Sequence, residues 1–221
     1  MKLIYKNMEH ILRFGEGFVS ELIIENKKMF LEMATCLVEQ SAGSHGNFTL
    51  SIADKPVEFS RHGDVIMQFA PFEINRKSLL TKLYTALEKK ALSAENYTKT
   101  GELLSGLESY IYRLAEDFPF ELDCKKVTFG SVLRAICPEI EEDDKSNLEK
   151  IFDYMEFVRE LDRDRLFVMI NMRTFFSDED MEIFVQSVCL HDFKVLLLES
   201  TSFPRLKNTK RYTVDEDLCE F

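Results

Sequence analysis

The chain has no tryptophan, no Cys-x-x-Cys pair, no GxxxxGK[ST] sequence and no apolar run long enough to cross a bilayer. Each absence excludes a class. The five cysteines (Cys36, Cys124, Cys137, Cys189 and Cys219) are odd in number and scattered, which argues against a disulfide framework and against a zinc site. Met1-Lys-Leu-Ile-Tyr-Lys6 turns charged too soon for a signal peptide, so no membrane partner and a cytoplasmic location are expected. Without a glycine-rich phosphate loop the backbone has no ready cradle for a nucleotide. Phe14-Gly15-Glu16-Gly17 carries two glycines, but a glutamate separates them and a strand follows, so it reads as a turn. Positive charge is also scarce: 28 basic against 39 acidic side chains leave a formal charge of −11. That balance disfavours nucleic acid on average, although binding responds to local potential and a concave basic wall can coexist with an acidic exterior.

What is present is a full core. With 221 residues, 45% of them hydrophobic, the chain can fold without staples. Leu166-Phe-Val-Met-Ile-Asn-Met172 and Phe193-Lys-Val-Leu-Leu-Leu-Glu199 read as strands buried on both faces. Between them Ser177, with Asp180 at the capping-box position, starts a helix whose inner face includes Phe184 and Val188. Strand, helix and strand with short joints predict a parallel βαβ unit. Upstream, Lys2–Tyr5 and Phe18–Ile24 read as strands, and Asn26 caps a helix through Gln40. Residues 48–52, 57–59 and 65–69 read as a meander of short strands, turned at Asp54-Lys55-Pro56 and His62-Gly63-Asp64.

After Pro71 the period changes. Leu79, Leu80, Leu83 and Leu87, then Leu103, Leu104, Leu107, Ile111 and Leu114, recur at helical spacing with a break near Ser93–Asn96, predicting an αα-hairpin. A shorter helix over 128–136 ends before Pro138. The acidic patch Glu139–Asp144 then precedes a helix from Ser146 to Leu161. The expected fold class is α/β: a head with a parallel or mixed sheet built from both chain ends (1–74 and 162–221), interrupted by a helical extension over 75–161.

Three chemistries remain open on the residues alone. Glu199 and Asp215-Glu216-Asp217 could hold magnesium for a divergent nuclease or nucleotide hydrolase, against the plainer reading of exposed strand-end acids. Lys55, Arg61, Arg76, Lys77 and Lys82, with a second cluster Arg205, Lys207, Lys210 and Arg211, could contact phosphates, against ordinary solvated faces. The helical extension could serve a protein-only adaptor.

Several segments together resemble the Csn-two (Csn2) family of type II-A CRISPR adaptation accessory proteins. They are Leu166 to Asp180, Lys194-Val-Leu-Leu-Leu-Glu199, Val214-Asp-Glu-Asp217, Phe72-Glu-Ile-Asn75 leading into Leu79–Tyr84, and Phe120-Glu-Leu-Asp123, in order over nearly the whole chain. The resemblance implies a P-loop-ATPase-like head without a working nucleotide site and an inserted helical extension. It implies a non-catalytic homotetrameric ring that encloses double-stranded DNA from free ends during spacer acquisition. The implied partners are the CRISPR integrase proteins and the RNA-guided effector nuclease. The DNA-contact candidates become Lys55, Arg61, Arg76, Lys77, Lys82, Lys125 and Lys126. Calcium is the implied cofactor, with Glu121, Asp123, Glu141, Glu142 and Asp144 as candidate ligands. Here the chain departs from its relatives: Lys125-Lys126 stand where further acids are expected, and a lysine pair could satisfy the carboxylates in place of the ion.

Overall fold

The computed structural model describes all residues except Asn7, Glu16, Glu121, Cys124, Lys125, Asp143 and Arg163, and the side chain of Ser78. The chain divides into two units. The first, Met1–Phe72 with Asp144–Phe221, is the α/β head; the second, Glu73–Asp143, is helical.

The head is built on a five-stranded sheet, parallel throughout. Its strands are β3 (Val19–Ile24), β6 (Gly63–Ile66), β7 (Leu166–Ile170), β8 (Lys194–Glu199) and β9 (Thr209–Val214), in the spatial order β6-β7-β8-β3-β9. Every residue of β3 and β7 is buried, which explains their unbroken apolar runs: both faces of a parallel sheet are covered. The expected βαβ unit is β7, α7 (Asp178–Leu190) and β8, and Ser177 and Asp180 form the reciprocal capping box at its start. On one face lie α1 (Lys27–Ser41) and a small antiparallel sheet of β2 (Leu12–Arg13), β1 (Lys2–Tyr5), β4 (Phe48–Ile52) and β5 (Lys55–Val57). There Leu3, Leu50, Met33 and Leu37 pack with Leu22, Ile24, Val168 and Leu198.

Two expectations are corrected. Only the first hairpin of the meander forms: β4 and β5 pair antiparallel across a two-residue turn at Ala53-Asp54, both at positive φ (48° and 61°). A short helix, α2 (Phe59–His62), then carries the chain away, and β6 joins the parallel sheet beside β7 instead of β5. The helix α6 (Asn147–Leu161), assigned by sequence to the extension, belongs to the head. Its Ile151, Tyr154, Met155 and Val158 are buried, with Tyr154 edge-on to Phe72 and Phe167. Its polarity pattern is that of any amphipathic helix, so periodicity alone could not say which core it faces.

The second unit holds α3 (Lys77–Ala91), α4 (Tyr97–Ala115) and α5 (Phe129–Ile136). Asn75 ties its two ends together. Its Oδ1 accepts from Ile140 N (2.8 Å), while its Nδ2 donates to Ile140 O (2.8 Å) and to Glu142 Oε1 (2.8 Å). Thr128 and Ser131 cap α5 reciprocally.

Candidate nucleic-acid interface

Ligands of open parallel sheets bind outside the carboxyl ends of the strands, and in this head the end of β3 carries no phosphate loop. The joint between β3 and α1 is only Glu25-Asn26, without a glycine. Asn26 caps the helix through its own side chain, which accepts from Met29 N (3.0 Å), while its Nδ2 donates to Glu216 O (2.9 Å). The neighbouring cavity, about 240 Å³, is lined by Tyr5, Asn26, Lys28, Glu32, Val214 and Glu220. Tyr5 donates to Glu32 Oε1 (2.8 Å); burial and the Glu32 carboxylate push the phenol up to about 12. Burial would raise Glu220 too, but His10 and the backbone N–H groups of Glu9 and His10 outweigh it and hold the carboxyl below its usual value. Two carboxylates and one lysine, Lys28, thus line this small cavity.

Glu199 is not the exposed strand-end acid expected of it. It is fully buried, and burial pushes its carboxyl up to about 7, against the opposing effect of the backbone N–H of Arg173. Asp215, another of the expected magnesium ligands, accepts from Asp217 N (2.9 Å) and Cys219 N (2.8 Å) and so organises a turn. Among the described residues no group of three or more His, Cys, Asp or Glu side chains is placed to hold a metal ion.

That finding bears on the calcium candidates. Asp123, Glu141 and Asp144 are exposed, Glu142 is engaged by Asn75, and Glu121 lies outside the described residues. Among the described residues these acids do not converge into a cluster of three or more.

The basic candidates fall in two places. Lys55 and Arg61 are exposed in the head, and Arg61 Nε pairs with Glu58 Oε2 (2.6 Å). Arg76, Lys77 and Lys82 lie at the start of the second unit and along α3; Lys126 lines a cavity of about 480 Å³ with Tyr97, Glu108, Phe129 and Arg134. Lys125 lies outside the described residues. Of the last cluster, Lys210 and Arg211 belong to β9, not to a loop, and Arg211 is committed internally: its Nε donates to Glu21 Oε2 (2.7 Å). The most cationic helix is α3, with Lys77, Lys82, Lys89 and Lys90 against Glu88, whereas α6 carries Lys150 and Arg159 against Glu149, Asp153, Glu156 and Glu160. Arg76 adds a further cation at the N-terminal cap of α3.

The Cas_Csn2 family model, described as CRISPR-associated protein, matches residues 40–218. The chain belongs to the Csn2 family. A CRISPR-associated protein Csn2 of Enterococcus faecalis is 23% identical over 155 residues, 69% of each chain. The crystal structure of Stu0660 of Streptococcus thermophilus superposes with a TM-score of 0.59 at 17% identity, covering 93% of this chain and 69% of that one. At that identity the likeness speaks for the fold.

Sequence reasoning missed the most tightly bonded polar residues of this Csn2 head. Arg173, on the turn after β7, is buried; its Nη1 donates to Glu21 Oε1 (2.7 Å) and its Nη2 to Asp178 Oδ1 (2.7 Å). Asn171, at φ 57°, accepts from Ser200 N and Ser200 Oγ (2.9 Å each), joining the ends of β7 and β8. One signal was available: a glutamate inside Val-Ser-Glu-Leu-Ile-Ile is a charge in a strand with no solvent face, so it requires a buried partner. No helix among the described residues is long and apolar enough to cross a membrane.

Proposed function

We propose that this CRISPR-associated chain is the non-catalytic subunit of a homotetrameric ring that holds double-stranded DNA without sequence preference during spacer acquisition in the cytoplasm. The observation that carries the reading is α3, a helix with four lysines and one acid in a chain of net charge −11. Phosphate contacts need such cations and no base-specific geometry. Lys55, Arg61, Arg76, Lys77, Lys82, Lys125 and Lys126 remain the proposed contacts. Assembly has its own support: Leu103, Leu107, Tyr110, Ile111 and Leu114 recur along α4 at spacings of three and four and are all exposed, Leu103 at 65%. Such a stripe favours burial against another chain.

The relation of the head to P-loop ATPases belongs to the same reading. Five parallel strands support it, and the Glu25-Asn26 joint, closed by a side-chain cap, supports a strand end without nucleotide. Calcium, through the acids named above, would act on assembly and not on chemistry; the integrase proteins and the effector nuclease are the proposed partners.

Binding to linear and to closed circular duplex at several salt concentrations tests the proposal. Log affinity for linear DNA should fall linearly with log salt, by about 0.9 per phosphate neutralised, and circles should bind less. Affinity insensitive to salt would overturn it. Turnover of ATP or plasmid with magnesium would favour an enzyme instead.

A further inference from the structure

The connection from β8 to β9 is unusual. It passes β3 and enters β9 in parallel, yet it spans only residues 200–208 and contains no helix. Such crossovers ordinarily take about a dozen residues or more, usually with a helix that covers the sheet. Here side chains hold the segment down. The Arg173 guanidinium lies 4.8 Å over the Phe203 ring, Arg211 Nη2 donates to Pro204 O (3.2 Å), and Lys207 N donates to Glu182 Oε1 (2.9 Å) on α7. The first two fasteners are the two arginines that share the buried Glu21.

Beside them two buried polar atoms lack partners: Glu199 Oε2, an acceptor, and Arg173 Nε, a donor. Glu199 Oε1 already accepts from Arg173 N (3.1 Å). The charged groups facing Glu199 are Glu21 from β3 and Arg173 from the turn after β7; Asp178 of α7 and Arg211 of β9 join through them. With Glu199 neutral, two arginines balance two carboxylates. With Glu199 ionised, a third carboxylate has no counterpart, and a buried unpaired charge is costly.

We propose that the 200–208 crossover is a strap with two states selected by the proton on Glu199, and that Arg173 is the part that moves. With the proton present, Arg173 stacks on Phe203 and binds Asp178, holding the strap. When the proton leaves, Arg173 Nε turns to Glu199 Oε2, which withdraws the guanidinium from Phe203 and frees the strap.

The carboxyl held up to about 7 sets the pH window. Between its ordinary value of 4.5 and about 7 the folded chain binds more protons than the unfolded one, so stability falls as pH rises through that range.

Because the chain has no tryptophan, Phe203→Trp places a single fluorophore on the strap. Acrylamide quenching of the full chain is then followed between about pH 5.5 and 8.5. Quenching should rise roughly twofold or more with a midpoint near 7, and stay flat in Phe203→Trp combined with Glu199→Gln. Flat quenching in the Glu199 chain overturns the proposal, as does a midpoint that survives Glu199→Gln. Hydrogen exchange in the unsubstituted chain gives an independent reading. The amide of Lys207, which donates to Glu182 Oε1 in the held strap, should lose protection above neutrality once corrected for its intrinsic rate, and constant protection overturns the proposal too.

Discussion

The two units use apolar residues in opposite ways. In the head, Leu166, Phe167, Val168, Met169 and Ile170 are all at most 2% exposed, and even the charges of Glu21 and Arg173 are sealed and paired. In the helical unit, α4 runs for 19 residues with Thr100 as its buried position, and its leucine and tyrosine stripe faces outward. A helix earns most of its stability from packing its apolar face, so α4 as an isolated element is incomplete. The head seals its apolar residues into a core, whereas α4 leaves a row of them at its surface.

The largest effect should come from cutting into the head. Phe167→Ala removes a buried ring that contacts Tyr154 and Phe193 and should cost about 3–5 kcal/mol in urea unfolding. Leu103→Ala on the exposed α4 stripe should cost the monomer roughly 0.5 kcal/mol or less. Equal losses would break the contrast. A change confined to assembly should come next: Leu107→Glu with Leu114→Glu should lower the mass measured by light scattering while leaving the far-ultraviolet spectrum of the head intact. Unchanged mass would mean that the stripe is not an assembly surface. Within the head, a smaller effect than that of Phe167→Ala concerns a single cap: Asn26→Ala should cost about 1 kcal/mol of head stability, read as a shift in the urea midpoint without a change of slope.

Much of this was legible beforehand where local rules and tertiary demands agree. The runs at 166–170 and 194–199, the capping box at Ser177, the helix start at Ser146, and the break between α3 and α4 near Ser93–Asn96 follow from periodicity and capping chemistry. The misses share one cause. Whether β6 extends a meander or joins β7, and whether α6 covers the head, depends on partners far along the chain, which a local pattern does not encode. Glu199 shows the same limit at one residue: strand-end acids are commonly exposed, and only the packing of α7 and the turn bearing Arg173 reverses that.

The order of residues alone determined the long helices and the buried strands at 166–170 and 194–199, because side-chain period and caps act over a few residues; it also pointed to the family, because its motifs are linear. The tertiary structure decided which charges are spent inside and which remain available to a partner. Arg211 and Lys55 are both cations in the sequence, but Lys55 is exposed while Arg211 meets a desolvated glutamate across a sheet, and desolvation depends on position in space.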